Sequence, residues 1–279
     1  MFVANRLVFL ELQKTGGSHI RRLLQQYTDG RIEGKHNRLL EMPEDKAIIG
    51  SIRNPWDWYV SLWAYGSGGK GAIRARTGTR LDFDYYNRML PKDLGKNWLS
   101  PYELLTSVRH DAFKPVKQWQ ASYMDADDAA LFRKWLKLLL SAENRFDIGE
   151  GYGYSPLSRH AGLLTYRYFR LFTLGRAVFT DARLRDPAFL LEFDEESNIT
   201  STIIRTESLE PDFVSALMKA GVPLSDQKQA AILNKEGGKT NVSRRKSAAF
   251  YYDEESVDMV ARADAYLIQK YGYLPPVEI

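Results

Sequence analysis

The segment that most restricts how this chain can fold is its opening run, RLVFLELQKTGGSHIRRLLQQY, residues 6–27. LVFLEL (7–12) is short and rich in Leu, Val and Phe, as a buried strand is. QKTGGS is turn-like. Ile20, Leu23, Leu24 and Tyr27 then fall at i, i+3, i+4 and i+7, the spacing of an amphipathic helix. Strand, glycine loop and helix in direct succession open an α/β unit. They also gather backbone N–H groups at a helix N-terminus, where those donors and the helix dipole favour an anion. Gly16 and Gly17 allow close approach of backbone to ligand. Lys14 adds a mobile positive charge, and Thr15 and Ser18 add hydroxyls. The loop differs from the GxxxxGK[ST] loop of nucleotide hydrolases, because its lysine precedes the glycines. The plainer alternative is a β–α turn carrying a surface lysine.

A second constellation follows. KAIIGSI (46–52) predicts another apolar strand, ended by RNP, with Pro55 suited to a first helical position. Arg53 closes that strand, and Ser61 lies six residues into the following helix, roughly 9 Å along its axis. An arginine fork and a hydroxyl at that separation can flank a second phosphate. The competing role for Arg53 is an ion pair, with Asp57 as partner. Trp56, Tyr59 and Trp63 read as core.

Further on, the glycine-rich, basic stretch 66–80 is expected to be a mobile surface loop. Helices are predicted over 131–140, from Gly162, and over 211–220, with a strand over 200–209. A basic loop spans 234–247. A closing helix led by Asp253 presents Val257, Val260, Ala261, Ala265, Ile268 and Tyr271 on one face, with Asp264 the exception. No repeat or linker divides the chain, so one α/β domain over 1–279 is expected, with 66–199 as insertions.

Composition narrows the chemistry. A length of 279 residues is ample for a buried core. The absence of cysteine excludes disulfides, thiolate zinc sites and cysteine nucleophiles. Four histidines, His19, His36, His110 and His160, make a polyhistidine metal site an unattractive reading. A net charge of +4 suits a small anion better than nucleic acid. No apolar run reaches membrane-spanning length, and Glu11 cuts the N-terminal one short of a secretory signal, so a cytoplasmic protein without a membrane span is expected.

Together, LELQKTGGSHI and IRNPWDWYVSLWAY resemble the two cofactor motifs of sulfotransferases that use 3′-phosphoadenosine 5′-phosphosulfate (PAPS). IIRTESLEPDF, NVSRRK and YYDEESVDMVARADAYLIQKYGY more loosely resemble the C-terminal part of that family's carbohydrate-type branch. The resemblance covers 5–27 and 46–65 well and 200–273 loosely. It implies a P-loop-like three-layer α/β fold with a central, mostly parallel sheet. It further implies metal-free, in-line transfer of a sulfuryl group from PAPS to an acceptor hydroxyl, with PAP as the product. In that scheme Lys14 stabilises charge on the leaving and transferred groups. The backbone of Gly16 to His19, with Gly17 and the Thr15 and Ser18 hydroxyls, holds the 5′-phosphate. Arg53 and Ser61 hold the 3′-phosphate, and Arg244, Arg245 or Lys239 closes over it. His36 is the first candidate general base and Glu11 the second. The family's His-x-Pro before Lys-Thr-Gly is replaced here by Glu11 and Gln13. The acceptor class implied is a carbohydrate or glycolipid, with Tyr152, Tyr154, Arg159, Tyr166, Arg167 and the 66–80 segment as cleft residues. The alternative is a non-catalytic module that binds PAP or PAPS.

Overall fold

The computed structural model describes residues 1–81, 101–235 and 245–276. Five strands form one sheet in the order β3-β1-β2-β4-β5: β1 Phe2–Val3, β2 Leu7–Phe9, β3 Arg31–Ile32, β4 Ala47–Ile52 and β5 Thr202–Arg205. The pairs β2–β4 and β4–β5 are parallel, with Val8 opposite Ile48 and Ser51 opposite Ile204. The pairs β1–β2 and β1–β3 are antiparallel. The sheet is therefore mixed. Its parallel half follows from the β-α-β crossovers that separate β2, β4 and β5, whereas only three residues connect β1 to β2, too few for a parallel return.

The helices are α1 Gly17–Tyr27, α2 Pro55–Ser67, α3 Ala72–Gly78, α4 Pro101–Phe113, α5 Val116–Ala121, α6 Ala129–Leu140, α7 Leu163–Phe172, α8 Ala177–Thr180, α9 Leu190–Ser197, α10 Leu209–Lys219, α11 Asp226–Leu233, α12 Ala248–Tyr251, α13 Glu254–Ala263 and α14 Ala265–Tyr271. Successive strand residues point to opposite faces, and the core divides accordingly. Leu7, Phe9, Ile49 and Ile204 pack with Ile20, Leu24, Phe213 and Leu217 from α1 and α10. Val8, Ile48 and Ile52 pack with the larger cluster from α2, α6 and α7, which includes Trp58, Trp63, Trp135 and Phe169. The sheet is thus flanked by helices on both faces.

Several expectations are corrected. The strand read over 7–12 ends at Phe9, with one further inter-strand hydrogen bond from the Leu10 amide to the Ile49 carbonyl (2.8 Å). The 66–80 stretch is mostly helix: α2 runs to Ser67, and α3 buries Ile73, Arg76 and Thr77. Arg76 pairs with the buried Asp111, so an internal ion pair holds a segment whose glycines suggested mobility. The closing helix breaks at Asp264, which is fully buried and accepts hydrogen bonds from the Tyr59 hydroxyl (2.7 Å), the Thr165 amide (2.8 Å) and the Thr165 hydroxyl (2.6 Å). The polar residue on an apolar face is therefore an internal tie between the C-terminal helices, α2 and α7. Among the described residues, no helix is long and apolar enough to cross a membrane.

Candidate active site

The parallel strands β2 and β4 deliver their carboxyl ends to one edge of the sheet, the edge where ligands sit in open α/β folds. From β2 the chain enters a strained loop. Lys14 has φ +66°, and Gly16, the N-cap of α1, has φ +78°. A Cβ on Gly16 would also lie 2.8 Å from Leu209 Cδ1, so both conformation and space demand glycine there. No side chain caps α1, which leaves the Gly17 and Ser18 amides, in its first turn, without an intrahelical acceptor.

The loop is bolted from below. Thr15 is fully buried. Its hydroxyl donates to the Leu12 carbonyl (2.7 Å) and accepts from the Ser51 hydroxyl (2.6 Å), which uses its only proton. Trp58 Nε1 donates to the Gln13 carbonyl at 2.6 Å. The Thr15 hydroxyl is thus a structural tie rather than the phosphate donor expected from sequence. Ser18 is exposed on the first turn of α1. His19 faces away toward α10, where Nε2 lies 3.5 Å from Glu210 Oε1.

Three cations lie along α2 beside this loop. Asp57 Oδ1 lies 3.5 Å from Arg53 Nη2 and 3.1 Å from Arg245 Nη2. The ion-pair alternative for Arg53 is thus real: both guanidiniums approach the Asp57 carboxylate, and the charge of Glu207 also acts on Arg53. Arg53 Nε is buried without a hydrogen-bond partner among the described residues. Lys14 Nζ stands 4.1 Å from the centre of the Tyr65 ring. Burial first, then the charges of Arg53 and Arg245, hold the Lys14 ammonium down to about pKa 8. Burial and Arg245 also lower Arg53. Asp57, Ser61 and Tyr65 are spaced i, i+4, i+8 and so form one stripe of α2, about 12 Å long. The guanidiniums are at one end, Lys14 is at the other, and the buried Ser61 lies between. Of these positions, the Arg53–Ser61 spacing was legible; that Tyr65 underlies Lys14 was not. Arg244 and Lys239 lie outside the described residues.

A cavity of about 300 Å³ adjoins the loop; its lining includes Glu11, Gln13, His36, Arg38, Glu150, Arg167 and Arg170. Glu11 is buried against α1, where a Cβ on Gly17 would come within 2.3 Å of its Cγ, and Arg21 Nε lies 3.1 Å from its carboxylate. Gly17 is therefore needed to seat Glu11. His36, with φ +56°, places Nδ1 at 2.9 Å from the Glu11 carbonyl oxygen. A carbonyl only accepts, so Nδ1 carries the proton and Nε2 the lone pair. Burial is the main influence lowering the His36 pKa, which favours the neutral ring.

The other predicted cleft residues disperse. Tyr152 and Tyr166 are core residues, their hydroxyls bonded to the Ala161 and Glu150 carbonyls. Of that group only Arg167 lines the cavity. His160 bonds the Leu184 carbonyl and His110 stacks on Phe146. No cluster of three or more potential metal ligands occurs among the described residues. Comparison with family models, with curated proteins and with solved structures gives no match.

Proposed function

We propose that this chain is a PAPS-dependent sulfotransferase of P-loop-like, three-layer architecture that acts on an acceptor hydroxyl, on a carbohydrate or glycolipid. The observation that carries the reading is the cation set: Lys14, Arg53 and Arg245 meet along one α2 stripe with Asp57 as the shared carboxylate. Like charges forced together at a partly buried edge favour an anion that relieves them. Two groupings along one stripe suit a ligand anionic at both ends. The orphaned Arg53 Nε and the uncapped start of α1 are consistent with that ligand.

Bound there, PAPS would supply a sulfuryl group whose transfer breaks the sulfur–oxygen bond to the 5′-phosphate and forms one to the acceptor oxygen. The chain's own residues then have separable tasks. The Gly17 and Ser18 amides receive the 5′-phosphate, while Lys14 neutralises charge developing on its oxygen. Arg53, Arg245 and Ser61 receive the 3′-phosphate. His36 Nε2 takes the acceptor proton, its Nδ1 proton being fixed on the Glu11 carbonyl. Glu11, engaged by Arg21, positions that histidine. No metal is needed in this scheme.

The test is a melting comparison between PAP and AMP, which lacks the 3′-phosphate, coupled to transfer of labelled sulfate from PAPS. At about a hundredfold excess over Kd, binding contributes roughly 2.7 kcal/mol, or about 5–10 °C for a chain this long. PAP should shift the melting point and AMP should not, and Arg53→Ala should erase the difference. His36→Ala should keep the shift and lose transfer. Equal shifts with PAP and AMP would overturn the assignment; a PAP shift with no transfer to any acceptor pool would make the chain a binding module.

A further inference from the structure

The cavity beside His36 carries an imbalance of charge that the cofactor reading leaves unused. Three arginines and two glutamates line it. Glu11 is already engaged by Arg21, which is not part of the lining. Glu150 is grasped by Arg167, whose Nε and Nη2 donate to its two oxygens at 3.1 and 2.6 Å, and it also faces Arg170 Nη1 at 3.6 Å. Arg38 is left without a carboxylate among the described residues. Its one protein acceptor is the Gly175 carbonyl, 2.8 Å from Nη1. Arg38 is half-buried, and burial first, then the charges of Arg170 and Arg176, disfavour its charged form. A half-buried guanidinium crowded by its own kind, with a neutral carbonyl as its hydrogen-bond acceptor among the described residues, is a poor structural element and a good anion receptor.

Size and position define the anion further. The volume, about 300 Å³, is at the small end for ligand pockets, enough for one sugar-sized ring and too little for a lipid tail. Arg38 stands two residues from His36 on the same loop, so an anion held there lies within one small molecule of the candidate base. The phosphate-binding residues Lys14, Arg53 and Arg245 do not line this cavity, which separates it from the cofactor's own anions.

We propose that the cavity takes a small hydroxylated carboxylic acid unit, whose carboxylate is bound by Arg38 and whose hydroxyl is presented to His36. The proposal deepens the transferase reading and rests on it for the hydroxyl's fate, though not for the binding itself. Arg170 contributes by adding positive potential behind Arg38, and Glu150 keeps Arg167 and Arg170 in place.

The test uses a matched pair of probes, methyl β-D-glucuronide and methyl β-D-glucoside, which differ only in a carboxylate, together with methyl β-D-glucoside 6-phosphate. Each is titrated calorimetrically into the full chain, alone and with PAP present. The glucuronide should bind at least ~10-fold more tightly than the neutral glucoside, as charge-assisted hydrogen bonds do. Arg38→Gln should remove that preference, Arg38→Lys should restore part of it, and neither should alter the PAP melting shift. Equal binding of glucuronide and glucoside, or a preference that survives Arg38→Gln, overturns the proposal. Tighter binding of the phosphate ester than of the glucuronide overturns the carboxylate assignment. A glucuronide preference that depends on Arg38 in a chain that ignores PAP would sustain this site and defeat the transferase reading, so the two failures are distinguishable.

Discussion

Raising the pH from 7 to 9 should weaken the binding of PAP by about tenfold, and the cause is Lys14 alone. Its ammonium is held down to about pKa 8 by burial and by Arg53 and Arg245. At pH 7 about nine-tenths of the free protein carries that charge, and at pH 9 about one-tenth does, since the two values lie one unit either side of the pKa. An anion placed against Lys14 favours the charged form and raises its pKa in the complex. Protonation is then required for binding above pH 8, and the dissociation constant climbs by up to tenfold per unit. The other participants stay fixed in this window. Arginine does not titrate, and phosphate monoesters are almost fully ionised above about pH 7. Calorimetry in buffers of different ionisation heat would read both the affinity and the proton taken up on binding. Lys14→Arg should flatten the profile while keeping affinity at pH 9. A wild-type affinity that does not change between pH 7 and pH 9, with no proton uptake, would refute the placement of an anion beside Lys14. The same depressed pKa has a consequence without ligand. The unfolded chain binds this proton more tightly than the folded one, so the lysine costs stability below about pH 8 and the folded state gains between about pH 8 and 10.5.

Two further outcomes test the scaffold. Asp264→Ala removes the acceptor for the Tyr59 hydroxyl and for two Thr165 donors, all buried, at about 1–3 kcal/mol for each group left unsatisfied. It should lower the melting temperature by roughly 5–15 °C, and a loss below about 2 °C would deny Asp264 its structural role. Gly16→Ala places a Cβ at φ +78° and against Leu209, a strain of about 1–3 kcal/mol. It should weaken PAP binding more than it lowers thermal stability, because the loop can relax at the expense of its amides; unchanged PAP affinity in the folded variant would show that the loop backbone does not hold the phosphate.

What could be read from residues alone was local and periodic. The apolar strands before KTGG and RNP, the helical spacing of Ile20 to Tyr27, and Pro55 at the start of α2 all reappear at or near their expected places. Those features depend on neighbours in sequence. The mixed character of the sheet was not legible, because β1 is two residues long and is defined only by its pairing with β2 and β3. The helical nature of 66–80 was hidden as well: its glycines and charges mimic a loop, and the carboxylate that neutralises Arg76 comes from Asp111, 35 positions away. At the candidate site, the identities of Lys14, Arg53 and His36 were visible, and so was Asp57 as the ion-pair partner of Arg53, but not the partners of Lys14 and His36. The inward turn of the Thr15 hydroxyl depends on Ser51, and the tautomer of His36 on the Glu11 carbonyl. Arg38 gave no signal at all, since an arginine with no carboxylate partner among the described residues is recognisable only from the folded structure.

Helix α2 is pinned at its start and again at Trp63, whose Nε1 donates to the Ser122 carbonyl. Asn54 at its start donates to Glu207 and to the Leu274 carbonyl, Trp56 donates to the Val257 carbonyl, and Tyr59 donates to Asp264. A beam pinned at so many points cannot stretch or bow to suit its cargo. Under the proposed function the interval from Asp57 to Tyr65 thereby becomes a gauge that would admit molecules whose two anionic ends match it and turn away longer or shorter ones by length alone.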